Sequence, residues 1–325
     1  MKQARFFPFL LVVCLLSACS RGSYAVFSGY AQGGTYTVKA DLRGVSTPAR
    51  EIQEHIDALL DSIDFSLSGY NKNSLLTHFN AGEQISPDRF FTEVRALSER
   101  YRSQTGGAFD VASAPLFDIW GFGFTSDSLP DPERVRAALA ACREEKVLNF
   151  NAIAQGYTCD VVADYLHGLG IRNMLVDIGE IFCEGFNPSG RGWTIGVDNP
   201  VDGNDTPGAD IKGIWQSDGQ PCGIVTSGNY RKFYIRDGRK YAHTIDPRTG
   251  YPVTHDLLSA TVVAPTAAEA DALATACMVL GPAEAAALIE SRPDLEGYLI
   301  TSDGSWMSDG FAARAQRKMT DFSRK

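Results

Sequence analysis

Positive charge is scarce in this sequence. Lys and Arg number 30 against 39 Asp and Glu, a formal net charge of −9 over 325 residues. Nucleic-acid backbones are held by a basic footprint, so nucleic acid is excluded as the main partner. The basic patch used for electrostatic attachment to membranes is equally missing. Only seven cysteines occur, none in a Cys-x-x-Cys pair, which excludes a disulfide-dense scaffold and the common zinc frameworks. There is no Gly-x-Ser-x-Gly and no Cys–His pattern, so no covalent nucleophile is marked. Gly (31) and Pro (15) stay at ordinary levels, and no internal repeat stands out, which excludes collagen-like, low-complexity and solenoid chains. What is present is a globular composition, long enough for a substantial core.

The N-terminus reads as an address. Lys2 and Arg5 precede an apolar run from Phe6 to Leu16, followed by Leu16-Ser17-Ala18-Cys19. A basic start, a short apolar stretch and small residues before a cut describe a secretory signal peptide, and the run is too short to span a bilayer. Leu-Ser-Ala-Cys resembles the bacterial lipobox, which implies cleavage after residue 18 and lipid on Cys19. The expected organisation is a signal peptide over 1–18, a lipidated Cys and tether over 19–32, one domain over 33–312 and a polar tail over 313–325. The expected location is the extracytoplasmic, periplasmic face of a bacterial membrane, with the membrane contacted through the lipid anchor only. Loss of Lys2 and Arg5 takes the mature charge to 28 − 39 = −11. Cys142, Cys159, Cys183, Cys222 and Cys277 remain. They are odd in number and widely spaced, suited to small buried hydrophobes with room for one disulfide.

Apolar spacing predicts helices from Pro48 to about Ser66, from a Ser86 cap with Pro87 at the first helical position, from Asp131-Pro132, after Gly156, over Glu269–Leu280 and over Ala283–Ser291. Strands are predicted over Asn173–Ile178, Trp193–Val197, Gly223–Ser227, Arg231–Ile235, Leu258–Ala264 and Tyr298–Thr301. Pro200 to Gly213 reads as a loop. The mixture predicts a single α+β domain with an antiparallel sheet and packed helices.

Four constellations carry chemistry. In Thr266-Ala-Ala-Glu269-Ala-Asp271-Ala-Leu-Ala-Thr275, Thr266 and Glu269 fit a capping box. Asp271 and Thr275 then stack at i and i+4, two oxygen donors suited to a hard cation such as Mg²⁺. Spacing alone equally describes an Ala-rich packing helix with one solvated Asp. In His243-Thr-Ile-Asp246-Pro-Arg-Thr-Gly250-Tyr-Pro252, a turn accounts for Asp246, Pro247 and Gly250 but not for His243. In Asn149-Phe-Asn-Ala152-Ile-Ala-Gln155-Gly156-Tyr-Thr-Cys-Asp160, a helix start offers backbone N–H groups to a phosphate. In Thr105-Gly-Gly-Ala108-Phe109-Asp110, the glycines permit close backbone approach, Phe109 can stack on a flat ring and Asp110 can accept from ring N–H or ribose; a Gly-rich turn before a core strand describes it as well.

In this order, from about Gln32 to Gly281, the segments resemble the ApbE family of flavin transferases, the FAD:protein FMN transferases. Gln32-Gly-Gly-Thr-Tyr36-Thr-Val, Ser68-Gly-Tyr70-Asn71-Lys-Asn-Ser74 with Phe79-Asn80, Gly107-Ala-Phe-Asp110 with Pro115-Leu116, His243 to Pro252 and Ala270 to Thr275 carry the likeness. The resemblance implies a T-fold-like domain and FMN transfer from FAD to a Thr or Ser hydroxyl of an acceptor protein bearing a flavinylation motif, with release of AMP. It implies Asp271 and Thr275 as Mg²⁺ ligands with the carbonyl of Ala152. It implies Gln32, Tyr70, Ala108, Phe109, Asp110 and Asn149 along FAD, and His243 near the diphosphate as a candidate acid–base group. Gln155 stands where the family usually has Lys, and Asp177-Ile-Gly179-Glu180 where it has Gly-Gly-Glu. These departures leave an FAD diphosphatase and a non-catalytic FAD-binding lipoprotein as alternatives.

Overall fold

The computed structural model describes residues 23–123, 129–201, 204, 206, 208–230, 233–236 and 239–316. The signal peptide, Cys19, the start of the strand expected at Arg231 and the end of the tail lie outside them.

The chain opens as a hairpin, β1 (Tyr24–Ala31) and β2 (Gly34–Asp41). Gln32 and Gly33 turn it with φ of 51° and 83°, the left-handed pair that matches strand twist. Helices α1 (Ala49–Leu67), α2 (Leu75–Asn80) and α3 (Arg89–Gln104) follow. After a 3₁₀ turn at Val111–Ser113 come α4 (Ala114–Ile119), α5 (Pro132–Arg143) and α6 (Ala154–Gly168). Next are β3 (Met174–Asp177) and β4 (Ile181–Glu184), a ribbon of β5 (Thr194–Asp198) and β6 (Ile211–Gln216), and β7 (Cys222–Gly228). A second ribbon, β8 (Phe233–Arg236) and β9 (Arg239–Ala242), precedes β10 (Leu257–Ala264). The chain finishes with α7 (Ala267–Leu280), α8 (Pro282–Glu290), β11 (Glu296–Thr301), β12 (Ser305–Met307) and α9 (Asp309–Arg314).

The main sheet runs β1-β2-β3-β4-β7-β10-β11-β12, and every neighbouring pair is antiparallel. The α+β expectation therefore holds. Ile52, Ile56, Val162 and Leu166 bring α1 and α6 onto β1–β4. Leu273, Cys277, Ala285 and Ile289 bring α7 and α8 onto β7, β10 and β11. On the opposite face, Trp193, Ile195, Trp215 and Phe311 close a separate core under the β5–β6 ribbon and α9. Central β10 is buried on both faces and reads as Leu, Ala and Val interrupted by buried Ser259 and Thr261, rather than as an apolar–polar alternation with an exposed face.

Several boundaries differ from expectation, among them the loop expected to Gly213, which ends where β6 starts at Ile211. Within the stretch expected as a tether, Tyr24–Ala31 is strand, paired along its whole length with β2. The cap of α3 is Asp88, whose Oδ1 accepts from Phe91 N at 2.8 Å, rather than Ser86. Helix α6 begins two residues before Gly156 and carries it inside. The tail is tied down as far as Gln316: Arg314 meets Asp218 at 2.7 Å, and Gln316 N donates to Ile214 O at 2.9 Å. Among the described residues, no helix is long and apolar enough to cross a membrane.

Candidate active site

Helix α7 is the centre of the site, and twelve of its fourteen residues are buried. A helix buried all round needs neighbours that come close, and two glycines supply them. A Cβ on Gly156 of α6 would sit 2.3 Å from Ala267 O and 2.8 Å from Asp271 Cβ. A Cβ on Gly223 of β7 would sit 2.3 Å from Ala267 Cα. This contact lets Gly156 N donate to Asp271 Oδ2 at 3.1 Å. In return Asp160, one turn along α6, accepts from Ala267 N and Ala268 N, both at 2.8 Å. Each helix thus holds the other's backbone with a carboxylate. Asp160 satisfies two of the N–H groups that a helix start leaves open, a role its sequence context did not reveal. Thr266 Oγ1 accepts from Glu269 N at 3.2 Å, as a capping box requires. The Glu269 carboxylate turns instead to Arg292 at 2.6 Å, so the box is half made.

Asp271 is 4% exposed, so it is not the solvated Asp of an ordinary packing helix. Burial pushes its carboxyl up to about 7; the Gly156 N–H pulls it down, and the neighbouring carboxylate of Asp160 pushes it up. Asp160 is itself pushed up to about 7, because burial outweighs the two N–H groups it binds. Two carboxyls in a dry junction repel one another and are stabilised by a cation placed between them and solvent. One turn on, Thr275 Oγ1 lies 3.5 Å from Ser227 Oγ of β7. Among the described residues, no three His, Cys, Asp or Glu side chains cluster in a metal-ligating group. A cation here would therefore use one carboxylate with hydroxyl and carbonyl oxygens, a donor set that suits a hard ion. Ala152, in the turn leading into α6, packs against the core that holds Ala268 and Ala272 of α7.

The other expected residues fall into two contact groups, one at Gln32 and one running from Tyr70 to Asn149. Gln32, at the hairpin tip, donates to Thr158 Oγ1 of α6 at 2.6 Å, and its buried Oε1 has no hydrogen-bond partner. Asn149 Oδ1 accepts from Asn151 N at 2.9 Å, and Asn151 Nδ2 donates to the Tyr70 hydroxyl at 3.3 Å. The Ser68–Ser74 stretch is a local turn: Ser68 Oγ accepts from Tyr70 N and Asn71 N, both at 3.2 Å. That turn leaves the Tyr70 ring 70% exposed. Asn80 binds Leu148 from both sides, donating to its carbonyl at 2.9 Å and accepting from its N–H at 2.8 Å, which fixes the approach to Asn149.

Asn149 N donates to Val111 O at 2.8 Å, which joins the second group to the Gly106–Asp110 loop. Gly106 and Gly107 take φ of 58° and 82°, and the loop leads into a 3₁₀ turn rather than a strand. Stacking by Phe109 does not hold. Its ring is 1% exposed and packs edge-on against Tyr101, 6.4 Å between centroids, so this loop offers a ligand backbone and not a ring. Ala108 is equally buried. Asp110 accepts from Ala112 N at 2.9 Å and faces Arg102 at 3.3 Å; burial raises its carboxyl above the usual range, offset by that N–H and by Arg102. Arg102, which also binds Glu145 at 2.7 Å, was not marked by the sequence. A cavity of about 520 Å³ lies on the α3 side of Asp110, and another of about 160 Å³ lies between this loop and Pro247-Arg248. Neither is lined by α7. The buried, raised carboxyls of Asp271 and Asp160 lie at the α6–α7 junction, apart from both cavities.

The turn after β9 is built as its sequence suggested. Asp246 Oδ1 accepts from Arg248 N at 2.8 Å, and Gly250, at φ 81°, donates to Asp246 O at 2.7 Å. His243 sits at the entry to this turn, half-buried, its ring edge-on to Phe122 at 6.3 Å. Next to it, Thr244 Oγ1 donates to Asn229 Oδ1 at 2.5 Å. Asn229 is two residues beyond Ser227, so the segment bearing His243 is tied to the end of β7 that faces Thr275.

A family model for the ApbE family matches residues 33–299. The chain belongs to the ApbE family. It is 30% identical to an FAD:protein FMN transferase of Haemophilus influenzae over 94% of both chains, and 33% identical to one of Escherichia coli K12 over 84% of both. Its fold superposes on the Vibrio cholerae flavin transferase ApbE with a TM-score of 0.75, at 30% identity, covering 90% of this chain and 99% of that one. The apo crystal structure of the Pseudomonas stutzeri flavinyl transferase ApbE gives a TM-score of 0.78 at 32% identity, covering 90% and 97%.

The two departures from the ApbE pattern touch one another. A Cβ on Gly179 would lie 2.6 Å from Gln155 Nε2, so the Gln155 amide lies directly over the Gly179 backbone. Gly179 takes φ of 92° and donates to Asp177 Oδ1 at 3.2 Å, while the Ile178 preceding it is buried. The two positions where the resemblance leads one to expect a different residue therefore lie in contact.

Proposed function

We propose that this chain is an FAD:protein FMN transferase acting outside the cytoplasm. The observation that carries the reading is the match to enzymes of that name along 94% of both chains. The enzyme moves FMN from FAD to an acceptor protein. The acceptor hydroxyl, of a Thr or Ser, attacks the FMN-side phosphorus, the bond to AMP breaks, and AMP leaves.

The residues of the chain divide this work. Asp271, Thr275 and the Ala152 carbonyl are an oxygen set that would hold Mg²⁺. When bound, such an ion neutralises charge on the diphosphate oxygens as it develops. The Gly156 contact and the Asp160 cap hold Asp271 in place, so its carboxylate does not reorganise during the reaction. Gln32, Tyr70, Asn149 and Asp110 are the residues that would contact FAD, and Gln155 would contribute an amide where a lysine would bring charge. His243 is the group suited to take the proton of the acceptor hydroxyl, because imidazole titrates near neutral pH. The leader and lipobox support a lipid anchor at Cys19 on the periplasmic side.

The test incubates the enzyme with FAD, Mg²⁺ and a domain carrying an Asp-x-x-Thr segment, then reads flavin fluorescence in a denaturing gel. A fluorescent acceptor band supports transfer. AMP release without a labelled acceptor would make the chain an FAD diphosphatase, and intact bound FAD would make it a binding module.

A further inference from the structure

We propose that Cys183 and Cys222 form a cross-strand disulfide in the mature protein. The two are register partners on neighbouring strands β4 and β7, so their side chains leave the same face of the sheet. Their Sγ atoms are 3.7 Å apart. Directly opposed residues on antiparallel strands have Cα atoms about 4.5–5.5 Å apart. That lies inside the range of about 4.4–6.8 Å that disulfides span, so side-chain rotation alone brings the sulfurs to bonding distance. Among the five cysteines of the described chain the pairing is selective. Cys142, Cys159 and Cys277 lie in three other cores, and Cys159 Sγ donates to Glu180 O at 3.0 Å.

The bond would close a loop of 39 residues that carries the β5–β6 ribbon. It would sit beneath that ribbon, in the core formed with Trp193, Trp215 and Ile224. Cys183 is fully buried and Cys222 nearly so. An external oxidant therefore reaches them before the ribbon closes, so the bond forms during folding and not on the finished surface. The step is thiol–disulfide exchange with an oxidised dithiol carrier or oxidised glutathione. The thiolate of Cys222 attacks the carrier disulfide and gives a mixed disulfide with loss of one carrier thiol. Cys183 then attacks Cys222 Sγ and expels the second carrier thiol. Two cysteine thiols are oxidised, one carrier disulfide is reduced, and two protons end on the carrier thiols. The oxidant is supplied by the extracytoplasmic location read from the leader, so the proposal rests on that reading but not on the catalytic one.

The experiment uses the full chain matured through its own leader and purified from the membrane. It is denatured in excess iodoacetamide, digested without reduction and analysed by mass spectrometry. The expected result is a linked pair of peptides bearing Cys183 and Cys222, lighter by two hydrogens than their sum, with Cys142, Cys159 and Cys277 carbamidomethylated. Reduction is expected to lower the Tm of the wild type by several degrees and to leave the Cys183→Ala/Cys222→Ala variant unchanged. Full labelling of Cys183 and Cys222, or a link from either to another cysteine, would overturn the proposal. The mass measurement needs no variant, so a variant that fails to fold does not block it.

Discussion

Asp271 shows what burial does to a single side chain. Its carboxyl and that of Asp160 are held near 7, well above the range of an exposed carboxylate. A raised carboxyl binds its proton more tightly in the folded state than in the unfolded one. Between about pH 4 and about pH 7 the folded chain therefore keeps protons that the unfolded chain has released, and stability falls as pH rises through that window. Urea midpoints of the metal-free enzyme should be lower at about pH 8 than at about pH 5, and Mg²⁺ should restore the loss at the higher pH. Equal midpoints would show that the pair is not buried as described. Gln155 gives a second test at this scale. Replacing it with Lys should not weaken FAD binding in a fluorescence titration, because on the proposed reading the added charge would attract the diphosphate; a clear loss of affinity would contradict that reading. Sequence spacing identified Asp271 and Thr275 as a pair, but it could not distinguish a buried carboxylate from a solvated one. That depends on β7 and α6 closing over α7, and only long-range packing decides it. Phe109 failed in the other direction: an aromatic beside two glycines suits a stacking ring and a core ring equally well, and the core took it.

At the scale of elements, the α6–α7 contact sets the geometry of the site. Gly156→Ala would force its methyl group into Ala267 O, 2.3 Å away, which is main chain and cannot rotate aside. The expected cost is about 1–3 kcal/mol, the usual range for overpacking, read as a lower denaturant midpoint. Helices with a clear apolar stripe and a cap were legible. Asp131-Pro132 opens α5, and Asp131 Oδ1 accepts from Glu133 N and Arg134 N at 2.9 and 2.8 Å. Elements without such marks were not. Strand β1, at the sheet edge, exposes Val26, Ser28, Gly29 and Tyr30, so it shows no clean alternation. Strand β4 is four residues long, and its pairing with β7 joins segments that lie 39 residues apart at Cys183 and Cys222. The local pattern places the start of α6 after Gly156, whereas the helix begins at Ala154. Here the glycine serves helix–helix contact, which a local rule does not see.

For the whole molecule, net charge and chemistry pull in opposite directions. A chain at −9, which the proposed loss of its leader would take to −11, has no general positive field to hold a diphosphate. On the proposed reading Mg²⁺ and backbone N–H groups would supply what the surface does not, so turnover should depend steeply on Mg²⁺. The anchor gives a test at the same scale. Cys19→Ala should move the protein from the membrane fraction to the soluble extracytoplasmic fraction with unchanged specific activity, since the described domain begins with β1 at Tyr24. Membrane retention of that variant would contradict lipidation at Cys19. The most direct test of the account is intact-mass spectrometry of the acceptor domain after incubation with FAD and Mg²⁺, with AMP measured in the same samples, for the wild type and Asp271→Ala. The account predicts one FMN added per AMP released by the wild type, and a loss of about 10²-fold or more in the variant at saturating FAD. Undiminished FMN transfer by Asp271→Ala, or AMP released by the wild type without added mass on the acceptor, would contradict it.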